Sequence, residues 1–80
     1  MSKTTQAGAP DCLAVPASEV AKLLNVSERH IWAMTSSGRL PRPIRLGRRV
    51  LWSRAEIAAW LEAGAPTRDR WEQIKQAAMA

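Results

Sequence analysis

An 80-residue chain of 8.8 kDa has room for one small core and no second domain, since a chain of this size buries only about 60% of its unfolded surface. At 46% hydrophobic and 24% charged residues, with a net charge of +5, the composition is that of a globular domain; no apolar run is long enough to span a membrane, and MSKTTQAGAPDC lacks the apolar core of a secretion signal. One cysteine (Cys12), one histidine (His30) and no tyrosine argue against an internal disulfide, a Cys/His metal set and tyrosine-based strand transfer. The four glycines are isolated and form no phosphate loop. The chain therefore reads as a cytoplasmic non-enzyme with no cofactor, no metal and no membrane partner.

Residues 1–12 are small and polar and read as a disordered tail. A first helix is expected over Ala17–Leu24, entered through Pro16, with Val20, Leu23 and Leu24 as its buried stripe and Glu19 favoured by the dipole of the first turn. Asn25 and Val26 make a short turn, and Ser27 is a natural N-cap for a second helix, Glu28–Ser37, which Gly38 stops. At 100° per residue Ile31, Met34 and Thr35 share one side of that helix; Arg29, Ala33 and Ser36 face the other way, with Trp32 on the flank. Two short helices joined by a tight turn form a helix-turn-helix pattern, whose second helix enters the major groove, although a generic helical hairpin has the same signature.

The prolines of Arg39-Leu40-Pro41-Arg42-Pro43 make an extended linker. Ile44-Arg45-Leu46, a turn at Gly47-Arg48-Arg49 and Val50-Leu51-Trp52 then read as a β-hairpin with arginines at its tip, the shape of a DNA-binding wing. A lone hairpin is unstable, so Ile44, Leu46, Val50 and Trp52 are expected to pack on the helices. Ser53-Arg54-Ala55-Glu56 is an S-x-x-E capping box opening a third helix with Ile57, Trp60 and Leu61 as its stripe, ended by Gly64 and Pro66. A last helix, about Arg68–Ala78, carries a thin stripe of Trp71, Ile74 and Ala78. The expected fold is mostly α with a small β-hairpin, a winged helix-turn-helix over 13–64, followed by a docking or oligomerisation helix within 65–80.

Charge placement sharpens this. From Arg29 to Arg54 there are seven arginines (Arg29, Arg39, Arg42, Arg45, Arg48, Arg49, Arg54) and no acid, leaving five basic against seven acidic side chains elsewhere. Such clustering is the footprint of a polyanion-binding face; a solvated face would need neither clustering nor arginine over lysine.

Taken in order, Glu19-Val20-Ala21, Leu23-Leu24-Asn25-Val26-Ser27, Ile31-Trp32, Gly38-Arg39-Leu40-Pro41, Pro43-Ile44, Leu46-Gly47, Arg49, Trp52, Glu56-Ile57 and Trp60-Leu61 resemble the AlpA-like and excisionase-type winged helix-turn-helix proteins. These are small DNA-binding proteins of phages and integrative elements, related to the MerR-type DNA-binding head. The resemblance covers about Leu13–Ala63. It implies sequence-selective binding of double-stranded DNA, serving transcription of mobile-element genes or excisive recombination, with an integrase or RNA polymerase as partner and self-association on DNA.

It also places Glu28, Arg29, Trp32, Ala33 and Ser36 on the recognition helix and Arg45, Arg48 and Arg49 on the wing; the N-cap Ser27, the helix-surface His30 and the linker arginines Arg39 and Arg42 complete the expected DNA-binding set. Position 33 is alanine where relatives often carry a longer polar or basic residue, which shifts base reading toward Arg29. Leu51 is apolar where relatives are usually polar, so a cover is expected from the C-terminal helix or another protomer. Leu51, Trp71 and Ile74 are the partner candidates, with docking inside the chain as the other reading of Trp71. Arg29 suits guanine O6 and N7, with an ion pair to Glu28 or a phosphate contact as alternatives. The wing arginines suit phosphates or a narrow minor groove. Trp52 and Trp60 read as core, and Trp32 as a brace or a backbone contact. A separate reading makes the arginine face a grip for an acidic protein partner.

Overall fold

A computed structural model describes residues 12–79; the tail expected over 1–12 lies, apart from Cys12, outside the described residues. The order is β1 (Ala14–Val15), α1 (Ala17–Leu24), α2 (Glu28–Ser36), β2 (Ile44–Leu46), β3 (Arg49–Ser53), α3 (Arg54–Glu62) and α4 (Arg68–Met79). The three strands form an antiparallel sheet in the order β1-β3-β2. The fold is thus a mostly helical winged helix-turn-helix.

Small residues, not the leucine pair, dominate the inner face of α1. Ala17, Val20 and Ala21 are buried and Leu24 is half-buried, whereas Leu23 is exposed. Leu23 lies about 100° around the helix from Leu24, outside the stripe at i, i+3, i+4, i+7, which corrects the expected stripe. Asn25 takes the left-handed conformation (φ 60), and Val26 N–H donates to Ala21 O at 2.9 Å to close the helix. Ser27 then caps α2, its Oγ accepting from His30 N at 3.1 Å. At the far end Gly38 (φ 72) closes a Schellman motif: Arg39 N donates to Met34 O (2.8 Å) and Gly38 N to Thr35 O (3.3 Å).

The hairpin differs from expectation by one residue. Its pairs are Ile44↔Leu51, Arg45↔Val50 and Leu46↔Arg49, so the turn is Gly47-Arg48 alone. Gly47 has φ 64 at the first central position, as a two-residue II′ turn requires. A three-residue turn would set Leu46 against Val50 and Ile44 against Trp52; the shorter turn slips the register by one and flips β2. Ile44, Leu46, Arg49 and Leu51 therefore share one sheet face, while Arg45, Val50 and Trp52 share the other. Ile44 and Leu46 are exposed accordingly, Leu46 at 56%, rather than packed on the helices. Strand β1, absent from the sequence reading, pairs Ala14 with Ser53 and Val15 with Trp52, so β3 is flanked on both sides.

The core gathers Val15, Val20, Ile31, Leu40, Trp52, Ile57, Trp60 and Trp71. Each buried indole N–H has an acceptor: Trp52 donates to Pro41 O (3.1 Å), Trp60 to Pro66 O (2.8 Å) and Trp71 to Glu56 Oε2 (2.9 Å). Leu61, expected in the stripe of α3, is exposed, as is Ala78 on α4. The capping box is half-formed. Ser53 Oγ accepts from Glu56 N at 3.1 Å, but the Glu56 carboxylate is turned to α4, where it accepts from Trp71 and Lys75.

Helix α4 is bound to the rest of the chain from Arg68 to Lys75. Arg68 donates from its backbone N to Gly38 O (2.9 Å), from Nε to Leu40 O (2.9 Å) and from Nη2 to Thr35 O (3.1 Å). Trp71 is buried in the core, Ile74 is half-buried against it, and Lys75 pairs with Glu56 and with Glu72 (3.3 Å).

Candidate nucleic-acid interface

The exposed side of α2 is assembled by its cap and its inner anchor. Ser27 fixes the first turn, and Ile31 is fully buried, which turns the opposite side outward. Ser27, Glu28, Arg29, His30, Ala33 and Ser36 are all exposed. Among the described residues Arg29 makes no ion pair, with Glu28 or any other acid. Its guanidinium therefore faces solvent with its donors uncommitted to a carboxylate.

Trp32 joins α2 to the sheet. Its ring meets that of Trp52 edge-on, with centroids 5.6 Å apart and planes at 63°, an arrangement that aromatic quadrupoles favour. It keeps 43% exposure, so one ring both braces the helix against β3 and leaves an apolar surface open.

The hairpin presents its arginines in three directions. Arg48 occupies the turn, Arg49 lies on the face of Ile44, Leu46 and Leu51, and Arg45 lies on the face of Val50 and Trp52. All three are exposed. Arg39 is exposed directly after the end of α2. Arg42, also exposed, has Nε 3.9 Å from Glu72 Oε2 on α4, so part of its charge is met within the chain. Arg54 stands apart from this group: it is half-buried and lines an apolar groove between α1 and α3 with Leu23, Leu24, Ala55, Ile57, Ala58 and Leu61.

The partner candidates sit elsewhere than a free surface. Leu51 is only 8% exposed within the single chain, opposite Ile44, and needs no second protomer to cover it. Trp71 is buried in the core and donates to Glu56, as its docking reading expects. Ile74 is half-buried against the same core.

Electrostatically, the fold perturbs Lys75. The hydrogen bond that its ammonium donates to the Glu56 carboxylate raises its pKa above the ordinary lysine value of 10.5, opposed by partial burial and reinforced by the charges of Glu56 and Glu72. Glu72 Oε2 is buried without a well-formed hydrogen bond, its charge met by Lys75 at 3.3 Å and Arg42 at 3.9 Å. Among the described residues no three His, Cys, Asp or Glu side chains cluster as metal ligands, and no helix is long and apolar enough to cross a membrane.

Arg68 was not singled out by the sequence. An arginine at the start of a helix is an unremarkable surface residue by pattern, and its acceptors lie 28 and 33 residues away along the chain. Only the docking of α4 brings them together.

A capped helix pair, a Schellman-ended second helix and an arginine-bearing hairpin define a helix-turn-helix protein with a wing. The family model described as a helix-turn-helix domain matches residues 17–65, more than half of the chain, and the chain belongs to that family. Membership implies DNA binding. The matched span runs from the first residue of α1 to just past α3 and leaves out β1 and α4. No curated protein and no solved structure matches the chain.

Proposed function

We propose that the protein binds double-stranded DNA sequence-selectively through α2 and the hairpin, as an AlpA-type transcription regulator or excisionase-type recombination directionality factor of a phage or integrative element, with a MerR-like head. The observation that carries this reading is the pairing of an outward α2 face, on which Arg29 is exposed and has no ion pair among the described residues, with a hairpin bearing three exposed arginines, in a stretch without acid. Arg29 reads guanine in the major groove, with Trp32, Ala33 and Ser36 against neighbouring base edges and sugars. Ser27, Glu28 and His30 lie at the helix entrance beside the backbone. Arg39, Arg42, Arg45, Arg48 and Arg49 neutralise phosphates or enter the minor groove.

Wing arginines that diverge in three directions fit a hairpin that follows the backbone better than one that inserts flat into a groove. The 13–64 unit supplies the contacts, and the helix within 65–80 supports them.

Footprinting on the DNA flanking the gene tests the proposal. Protection inside an attachment site beside an integrase gene assigns excision, with the integrase as partner. Protection over a promoter assigns transcription, with RNA polymerase as partner. Adjacent sites filling together indicate self-association on DNA, and protection of no flanking sequence contradicts the proposal.

A further inference from the structure

We infer that Arg68, outside the matched helix-turn-helix span, is the positioning residue that fixes the recognition helix relative to the wing; this rests on the DNA-binding reading above. The last turn of a helix leaves carbonyls without intrahelical partners and carries a partial negative charge that favours a cation. Helix α2 has no basic residue of its own in its last turn. The guanidinium of Arg68 supplies the charge from α4, with Nη2 donating to Thr35 O at 3.1 Å.

The same side chain donates from Nε to Leu40 O at 2.9 Å, and its backbone N–H to Gly38 O at 2.9 Å. These three acceptors mark the end of α2, the stop and the beginning of the linker to the hairpin. Leu40 and Pro41 are buried, and Pro41 O in turn accepts from Trp52 on β3. One arginine therefore ties the exit of α2 to the path that leads to the wing. A planar guanidinium with donors in a fixed fork holds two carbonyls at a set angle, which a lysine ammonium does not.

Its role is geometric. Both DNA-contacting elements survive without it, but the angle between them loosens, so sequence discrimination falls while charge-driven binding persists.

The test uses the full chain, the duplex that the wild-type protein enriches from a random-sequence library, and a scrambled duplex of the same composition. Arg68→Met is expected to cut the preference for the enriched duplex by about tenfold, the scale of one mismatched base pair, with affinity for the scrambled duplex and the salt slope unchanged. Amide exchange at Gly38 and Arg39 is expected to quicken in this variant while α1 and α3 keep their protection. Arg68→Lys is expected to restore part of the preference.

A folded Arg68→Met with unchanged preference overturns the inference. So does an equal loss on both duplexes with a shallower salt slope, which makes Arg68 a phosphate contact. If Arg68→Met does not fold, Arg68→Lys decides: a reduced preference supports the inference and a full one overturns it. A wild-type protein that enriches no sequence overturns the underlying DNA reading as well.

Discussion

Arg29 and Lys75 show how one charge can be free for a ligand and another committed to the fold. Arg29 is exposed and has no carboxylate partner among the described residues, so replacing it should cost little stability. Arg29→Ala should lower discrimination between cognate and random duplex by about 1–3 kcal/mol, the worth of a bidentate contact to guanine, and lower affinity for random duplex much less. Equal losses on both, read by fluorescence anisotropy, would make it a phosphate contact. Lys75 is held charged by Glu56 and Glu72, with its pKa raised above 10.5. A raised folded pKa means that its contribution is complete below the unfolded value and fades as pH rises through the folded one. The urea midpoints of wild type and Lys75→Met should therefore differ by a constant amount from neutral pH up to about 10 and converge above it. A difference that persists in stronger alkali would reduce Lys75 to a packing role.

Between elements, the wing and α4 carry different burdens. Arg48 sits in the hairpin turn and Arg49 opposite Leu46, both exposed. Their joint replacement by alanine should leave the fold intact, weaken binding to every duplex and flatten the salt slope by about 1.8, at roughly 0.9 per phosphate contact. Unchanged affinity would remove the wing from the interface. Helix α4 is a different case. A chain ending at Gly64 reads from sequence as a complete domain, yet ending it there takes Trp71 from the core and deprives Trp60 of the Pro66 carbonyl, in the loop before α4, and α2 of Arg68. Deleting a buried tryptophan side chain alone costs about 3–5 kcal/mol, a large part of what a small domain has. The truncated chain should lose the cooperative thermal transition in near-UV circular dichroism; a retained transition would make α4 an accessory.

Across the whole molecule, the parts legible in the sequence are those written in local signals. Ser27, Gly38 and Ser53 announce helix ends that the structure has, and the turn prolines and glycines bound the hairpin. What escaped depends on register or on distance. Gly47-Arg48 against Gly47-Arg48-Arg49 is a difference of one residue, but with a period of two it decides whether Ile44 and Leu46 face the helices or solvent. Two-residue β1 is too short to show a pattern, and it pairs along the edge of β3 that β2 leaves open. Leu23 and Leu61 look like core by type, yet Ala17, Ala21 and three tryptophans already fill the interior. Within the candidate site, the exposure of the α2 residues follows from helical period alone, whereas the brace of Trp32 on Trp52 and the clamp of Arg68 required the fold.

The central claim, that α2 and the arginine hairpin form a DNA-binding face, is tested most directly by equilibrium binding of the intact chain to duplex DNA over a range of salt concentrations. With about five phosphates neutralised, log affinity against log salt should fall with a slope near −4.5. Failure to bind duplex even at low salt would contradict the account and leave the arginine face to an acidic protein partner.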